Sequence, residues 1–261
     1  MSHLRRVVGP ARRFLHRHRL LRLATAPLRP LPDFLIIGAM KSGTSALYAS
    51  LSTHPKMVPT RRKELHFFDS RPDRAFGEYR VEFPTVVERL WKTGSLGTRT
   101  GEATPAYMYF PWVPELVRRH LPDVALVAVL RDPVARAFSH YHHSVRKGHE
   151  TLSFEEALEA EDDRLAGPPD PAVPSSIDLH RRYSYFARGC YARQLERWNE
   201  HFPREQLLVV FHQDLVEDWE GTLRRIQDHV GLGGDPVPRI QTRPGGYPPM
   251  KPETEVELRR R

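Results

Sequence analysis

Two stretches of the chain combine residue types and spacing that could do chemistry. The first, Gly38-Ala39-Met40-Lys41-Ser42-Gly43-Thr44-Ser45, lies between the apolar run Phe34 to Ile37 and a series of small and apolar residues that stops near His54-Pro55. An apolar run entering a glycine reads as a buried parallel strand, and the series after it as a helix. Small residues at that junction let backbone N–H groups approach an anion, and the helix dipole adds about 0.3–1 kcal/mol when exposed. The loop that binds nucleoside triphosphates needs glycine, four residues, then Gly-Lys-Ser/Thr. Here Gly43 arrives on schedule, but Thr44 follows it and the lysine has moved back to Lys41. Ser45 could still hold magnesium, as in a P-loop kinase or NTPase. The next apolar strand, Val124 to Leu130, however, runs into Arg131 instead of the carboxylate that such enzymes use. The plainer alternative is a glycine turn with a surface lysine.

The second stretch is that strand end. Asp132-Pro133 starts a helix, since Asp is a good N-cap and Pro suits the first turn, and Ser139 lies two turns in. In a doubly wound sheet the strand C-termini share one edge, where ligands gather, so Arg131 is expected to face the same crevice as Lys41. A guanidinium takes a phosphate with two parallel hydrogen bonds, and a hydroxyl can add a third. Alone, an Arg-Asp-Pro triplet reads as a capped helix with an outward arginine. Joined to the first loop, it suggests a ligand with phosphates at both ends of a nucleoside.

The elements that must position these groups alternate. The helix after Asp132 should run from Pro133 to about Lys147, and Ser153 with Glu156 makes a capping box for a helix through about Leu165. Gly167 to Ser176, rich in proline, reads as a loop, Tyr191 to Phe202 as a helix, Gln206 to Phe211 as a third buried strand and Glu217 to Val230 as a helix. Pro252 to Arg261 looks like the opening of a helix with nothing to end on, as a truncated one would have. The expectation is an α/β, P-loop-like three-layer domain over residues 33–261, its central parallel sheet flanked by helices.

Composition narrows the rest. The chain has 261 residues, suited to one such domain, and 39% hydrophobic residues supply a core. A single cysteine, Cys190, excludes an intramolecular disulfide and a cysteine-built zinc site. Residues 1–32 carry eight arginines and no acid, so residues 33–261 balance at 32 basic against 32 acidic groups. That balance argues against a nucleic-acid groove over the domain. The basic arm reads as a solvated tail, as a helix on anionic lipid through Phe14, Leu15, Leu20, Leu21 and Leu23 (a possible peripheral membrane contact), or as a transit peptide poor in serine. The apolar runs are too short to span a bilayer, and the cytoplasm is the default location. His140, His142 and His143 could suggest a metal, but only His140 and His143 share a helix face and no acid completes a set, so no metal is expected. Trp198 and the Tyr183-Ser184-Tyr185-Phe186 cluster read as core or cleft wall.

On five motifs the sequence resembles sulfotransferases that use 3′-phosphoadenosine 5′-phosphosulfate (PAPS), in particular the carbohydrate branch with the heparan sulfate 3-O-sulfotransferases and their bacterial relatives. The carriers are Gly38 to Thr44, Lys63-Glu64-Leu65-His66-Phe67-Phe68-Asp69, Gly101-Glu102-Ala103-Thr104-Pro105-Ala106-Tyr107, Leu130 to Pro133 with Ser139, and Arg188-Gly189-Cys190-Tyr191, in family order. The resemblance implies that Lys41, Ser42, Gly43, Thr44 and Ser45 hold the 5′-phosphosulfate and that Arg131 and Ser139 hold the 3′-phosphate. A late loop, Arg243-Pro244-Gly245-Gly246-Tyr247-Pro248, closes over the nucleotide with Arg243 as its one cation. It also implies Glu64 as general base with His66 and Asp69 beside it, Lys41 stabilising the leaving oxygen, and Asp69, Thr104 and Tyr107 serving the acceptor. No metal takes part. The acceptor is a small molecule or glycan, and Ala103, where heparan-type members often carry lysine, points to a different acceptor from theirs.

The chemistry of these residue types suits that role. The apolar neighbours Leu65, Phe67 and Phe68 should keep Glu64 basic enough to take a proton. On an extended segment Glu64 and His66 share a face while Asp69 does not, which makes Asp69 a positioning group. The plainer reading of Glu64 is a surface carboxylate paired with Arg61, Arg62 or Lys63.

Overall fold

The computed structural model describes residues 22–70, 74–95, 97–241 and 246–260. Four parallel strands form one sheet in the order β2-β1-β3-β4: β1 (Phe34–Gly38), β2 (Gly101–Ala103), β3 (Ala125–Leu130) and β4 (Leu207–Phe211). In β1 every residue is buried, and its side chains alternate between two cores. Phe34 and Ile36 pack with Val127, Val129 and Val210 on one face, and Leu35 and Ile37 with Leu126, Ala128 and Leu130 on the other. A period of two with both faces apolar is what a strand covered by helices on both sides requires. The first face is covered by α1 (Thr44–Leu51) through Leu47 and Leu51, and by a later helix, Trp219–His229, through Leu223 and Ile226. The second is covered by α2 (Val113–His120) through Val113 and Val117, and by Trp198 of the helix Tyr191–His201. This is the expected three-layer α/β architecture.

Between β3 and β4 the chain builds a cap of helices. The helix α3 (Pro133–Arg146) starts as expected, with the Asp132 carboxylate accepting from the Ala135 amide at 2.8 Å. The expected helix from Ser153 to Leu165 is capped as the sequence indicates but breaks at Ala160 into Phe154–Glu159 and Glu161–Leu165. The buried Glu161 carboxylate accepts from the Phe186 and Ala187 amides, which anchors the second piece separately. The expected loop through Ser176 ends early, because Pro174 opens α4 (Pro174–Tyr183). Likewise, the helix read from Glu217 to Val230 begins a new turn at Asp218, whose side chain accepts from the Gly221 amide. The last helix, Pro252–Arg260, has a seat: Leu258 is buried with Val134 and Phe154, and Arg259 pairs with Asp132 at 2.9 Å.

Part of the stretch read as a solvated basic arm packs on the domain. Arg29 is buried, donates to the Phe83 carbonyl and pairs with Glu88 at 3.4 Å, while Arg22 donates to the Val81 carbonyl. Residues 1–21 lie outside the described residues. Among the described residues no helix is long and apolar enough to cross a membrane.

The three-residue β2 is not visible in sequence, since Gly-Glu-Ala has no strand pattern. It forms because Gly101 lets its backbone lie against Phe34. A Cβ at Gly101 would stand 2.6 Å from the Phe34 carbonyl oxygen, a backbone atom that cannot step aside. Gly101→Ala is therefore expected to destabilise the fold by roughly 1–3 kcal/mol and to lower the melting temperature by roughly 3–10 °C. An unchanged circular-dichroism melt would refute this reading of β2.

Candidate active site

The Gly38–Ser45 loop leaves β1 and turns into α1 through two left-handed residues, Lys41 (φ 72°) and Gly43 (φ 85°). A Cβ at Gly43 would stand 3.1 Å from the His212 ring, so strain and crowding both favour glycine there. The loop closes on itself, with the Ala39 amide donating to the Val129 carbonyl and the Ser42 amide to the Ala39 carbonyl. Beyond it, the Ala46 and Leu47 amides donate to the Gly43 carbonyl, and the Thr44 and Ser45 amides that open α1 have no earlier carbonyl of the helix to bond. Lys41, Gly43, Thr44 and Ser45 line a cleft of about 1420 Å³, whereas Ser42 is buried beneath the loop. The Ser45 hydroxyl, the magnesium ligand of a triphosphate loop, is hydrogen-bonded by the Lys63 ammonium.

Because β1 and β3 are parallel neighbours, the end of β3 reaches the same rim. The Arg131 guanidinium donates to the Lys41 carbonyl at 3.2 Å, and the Tyr191 hydroxyl holds the Arg131 carbonyl at 3.0 Å. Both cations and Ser139 of α3 line the one cleft. Lys41 and Arg131 thus share an edge, as the topology predicts.

Across from them runs the segment Lys63 to Asp69. It is not extended: Glu64 (φ 56°) and His66 (φ 49°) are both left-handed, at a cost of roughly 1–3 kcal/mol each. This conformation turns both side chains to the cleft and buries Leu65, Phe67 and Phe68 behind them. Asp69 then reaches the other side of the imidazole. His66 Nε2 lies 3.7 Å from Glu64 Oε2 and Nδ1 2.8 Å from Asp69 Oδ2, and Asp69 Oδ2 also accepts from Arg181 at 2.8 Å. Lys63 pairs with Glu64 at 3.0 Å. Burial pulls the His66 pKa down, but the hydrogen bond to Asp69 and the ion pair with Glu64 outweigh it and lift it to about 9. The pairing with His66, with help from Lys63, holds Glu64 down at about 2 against the opposing effect of burial. The expected rise in Glu64 basicity from its apolar neighbours is therefore reversed by a cationic partner on each side.

The structure places three of the expected site residues away from the cleft surface. Thr104 and Tyr107 are fully buried and do not reach the cleft; Pro105 and Ala106 between them do. Their hydroxyls donate instead to the buried Glu102 carboxylate, at 2.7 Å and 3.0 Å. Asp69 is also fully buried, so it positions His66 and Arg181 and has no surface for a substrate. Arg243 lies outside the described residues. The cleft adds cations that carried no legible signal, Arg146, Lys147 and, from α4, Arg181 and Arg182, and it also reaches the buried Arg188 of the Arg188–Tyr191 motif. Arg181 meets Asp69 across 112 positions of sequence, a contact no local pattern encodes. Of the three histidines on α3, His140 is buried against the Arg181 carbonyl and His142 stacks on Tyr247. His143 faces the cleft, where burial and then the Lys41 charge hold its pKa down at about 4.

The coupled pair makes stability depend on pH. The folded pKa of His66 lies above its ordinary 6.5, so its charge stabilises fully below that value and the contribution is lost as pH rises through about 9. Glu64 contributes above its ordinary 4.5 and loses its share as pH falls towards about 2. His66→Asn is expected to melt below the wild type at pH 7, with the gap closing by about pH 10. A gap independent of pH in thermal melts would contradict the ion pairing.

Comparison with known proteins places this geometry. The model of the sulfotransferase domain matches residues 31–242. Mouse (Mus musculus) heparan sulfate glucosamine 3-O-sulfotransferase 3A1 is 36% identical over 204 residues, 78% of this chain and 47% of that protein. The human (Homo sapiens) 3B1 enzyme is 35% identical over 204 residues, with the same coverage of 78% and 47%. The chain thus spans about half the length of the curated relatives it matches. The crystal structure of a sulfotransferase from Alicyclobacillus acidocaldarius superimposes with a TM-score of 0.66 at 31% identity, covering 88% of this chain and 90% of that one. A parallel sheet whose strand ends gather Lys41 and Arg131, within a span that the domain model matches from residue 31 to 242, shows that this chain belongs to the sulfotransferase domain family.

Proposed function

We propose that the protein is a PAPS-dependent sulfotransferase acting on a hydroxyl of a carbohydrate or glycoconjugate. The observation that carries this reading is the placement of Lys41 and Arg131 on one rim of a single cleft with Glu64 on its wall. The cleft fits the nucleotide on its own chemistry. Lys41 and the first-turn amides of α1 suit one phosphate, and Arg131 with Ser139 suits another. A carbohydrate acceptor is supported by the heparan sulfate glucosamine 3-O-sulfotransferases, whose identity with this chain reaches 36%.

PAPS, when bound, supplies a sulfuryl group at its 5′ end. Glu64 accepts the proton of the acceptor hydroxyl as its oxygen bonds to sulfur in line with the breaking sulfur–oxygen bond. Lys41 stabilises the electron pair left on the departing phosphate oxygen, giving adenosine 3′,5′-bisphosphate. Asp69 and Arg181 fix the imidazolium of His66, which fixes Glu64.

Adenosine 3′,5′-bisphosphate is expected to raise the melting temperature without magnesium, by about 2.7 kcal/mol of stabilisation at one hundred times its Kd. Lys41→Ala or Arg131→Ala should weaken that binding by about 10- to 100-fold, the loss of one charge-assisted contact. Glu64→Gln should keep nucleotide binding and lose about 10²–10⁴ in transfer of labelled sulfate to a panel of glycans. Stabilisation by ATP with magnesium instead would favour a P-loop kinase or NTPase. Nucleotide binding with no transfer to any acceptor would favour a non-catalytic relative.

A further inference from the structure

The left-handed backbone at His66 needs something to hold it, and the amide directly after it is tied to a buried network. The Phe67 amide, which follows His66, donates to the Tyr107 hydroxyl at 3.1 Å, and that hydroxyl donates on to Glu102 Oε1 at 3.0 Å. Tyr79 gives Oε1 a second donor at 2.8 Å, and Thr104 occupies Oε2 at 2.7 Å. Fixing the direction of an amide N–H fixes the ψ of the residue before it, so the tied Phe67 amide sets His66, which pairs with Glu64 in the cleft. Glu102 is itself held in β2 beside β1, the strand that carries the Lys41 loop.

We propose that Glu102 and Tyr107 are positioning residues for the proton acceptor, acting through the Phe67 amide to aim His66, and through it Glu64, at the cleft. Neither touches the cleft. This inference rests on the sulfotransferase reading for its kinetic consequence, but not for its structural one. Burial raises the Glu102 pKa to about 7 against the hydrogen bonds from Thr104, Tyr79 and Tyr107; in its ionised form the group accepts on both oxygens and offers no donor to compete with those around it.

Tyr107→Phe and Tyr79→Phe separate positioning from mere stability. Each removes one hydroxyl from Glu102 and keeps the ring, but only Tyr107 is tied to the segment that carries Glu64 and His66. Both variants should lose comparable melting temperature. Tyr107→Phe alone should lower kcat by about 10- to 100-fold, with acceptor KM and adenosine 3′,5′-bisphosphate affinity unchanged. NMR titration of His66 should show its pKa falling from about 9 towards 6.5 in Tyr107→Phe and not in Tyr79→Phe. Equal kcat losses in both variants, or wild-type kcat in Tyr107→Phe, would overturn the proposal. Should the wild type transfer no sulfate, the function reading fails, and the titration still decides: a shift confined to Tyr107→Phe supports positioning, and no shift refutes it. If Tyr107→Phe does not fold, Glu102→Gln is read the same way against Tyr79→Phe.

Discussion

The hydrogen bond from the Arg131 guanidinium to the Lys41 carbonyl is the joint on which the cleft depends. It exists because β1 and β3 are parallel and adjacent, which levels their C-terminal ends. Had β3 paired antiparallel, Arg131 would lie at the far end of the sheet from Lys41. Parallel pairing requires helical crossovers, and those crossovers supply both the amides of α1 and the hydroxyl of Ser139. One topological constraint therefore delivers two cations, a helix N-terminus and a hydroxyl to one place. Tyr191 completes the joint by holding the Arg131 carbonyl, which stops the end of β3 from turning away.

Charge in this protein is a local matter. Residues 33–261 balance their acids and bases, yet Lys41, Lys63, Arg131, Arg146, Lys147 and Arg182 line one cleft against few acids, Glu64 and Asp178 among them. Net charge describes the far field, and a crevice with low-dielectric walls responds to what lines it. The same crowding explains why His143 is held neutral beside Lys41 while His66, a short way off between two carboxylates, is charged.

The parts of this arrangement that a single sequence reveals are those written in consecutive residues. The apolar runs of β1, β3 and β4, the Asp132 cap and the Ser153–Glu156 capping box are local signals, and each corresponds to its element. The fourth strand is not local. Gly101-Glu102-Ala103 becomes β2 only because Gly101 can lie against Phe34 and Tyr79, Tyr107 and Thr104 satisfy Glu102. The same limit governed the site. Lys41 and Arg131 follow from strand ends, but the resemblance that offers Thr104 and Tyr107 to the acceptor gives no hint that both hydroxyls are fully buried. Arg181 comes from a helix that begins at Pro174, inside a stretch whose prolines read as loop.

The Glu64 carboxylate is where the charges of the cleft meet. A group held at about 2 is ionised and oriented, but it is a weak acceptor for the proton of an alcohol. Its depression comes from its cationic neighbours, His66 first and then Lys63, and Lys63 also bonds the hydroxyl of Ser45 on the phosphate loop. His66 lies between Glu64 and Asp69, so the imidazolium orients Glu64 from one side while Lys63 holds it from the other. Lys63 thereby ties Glu64 to Ser45 of the loop, and one ammonium joins the two walls of the cleft.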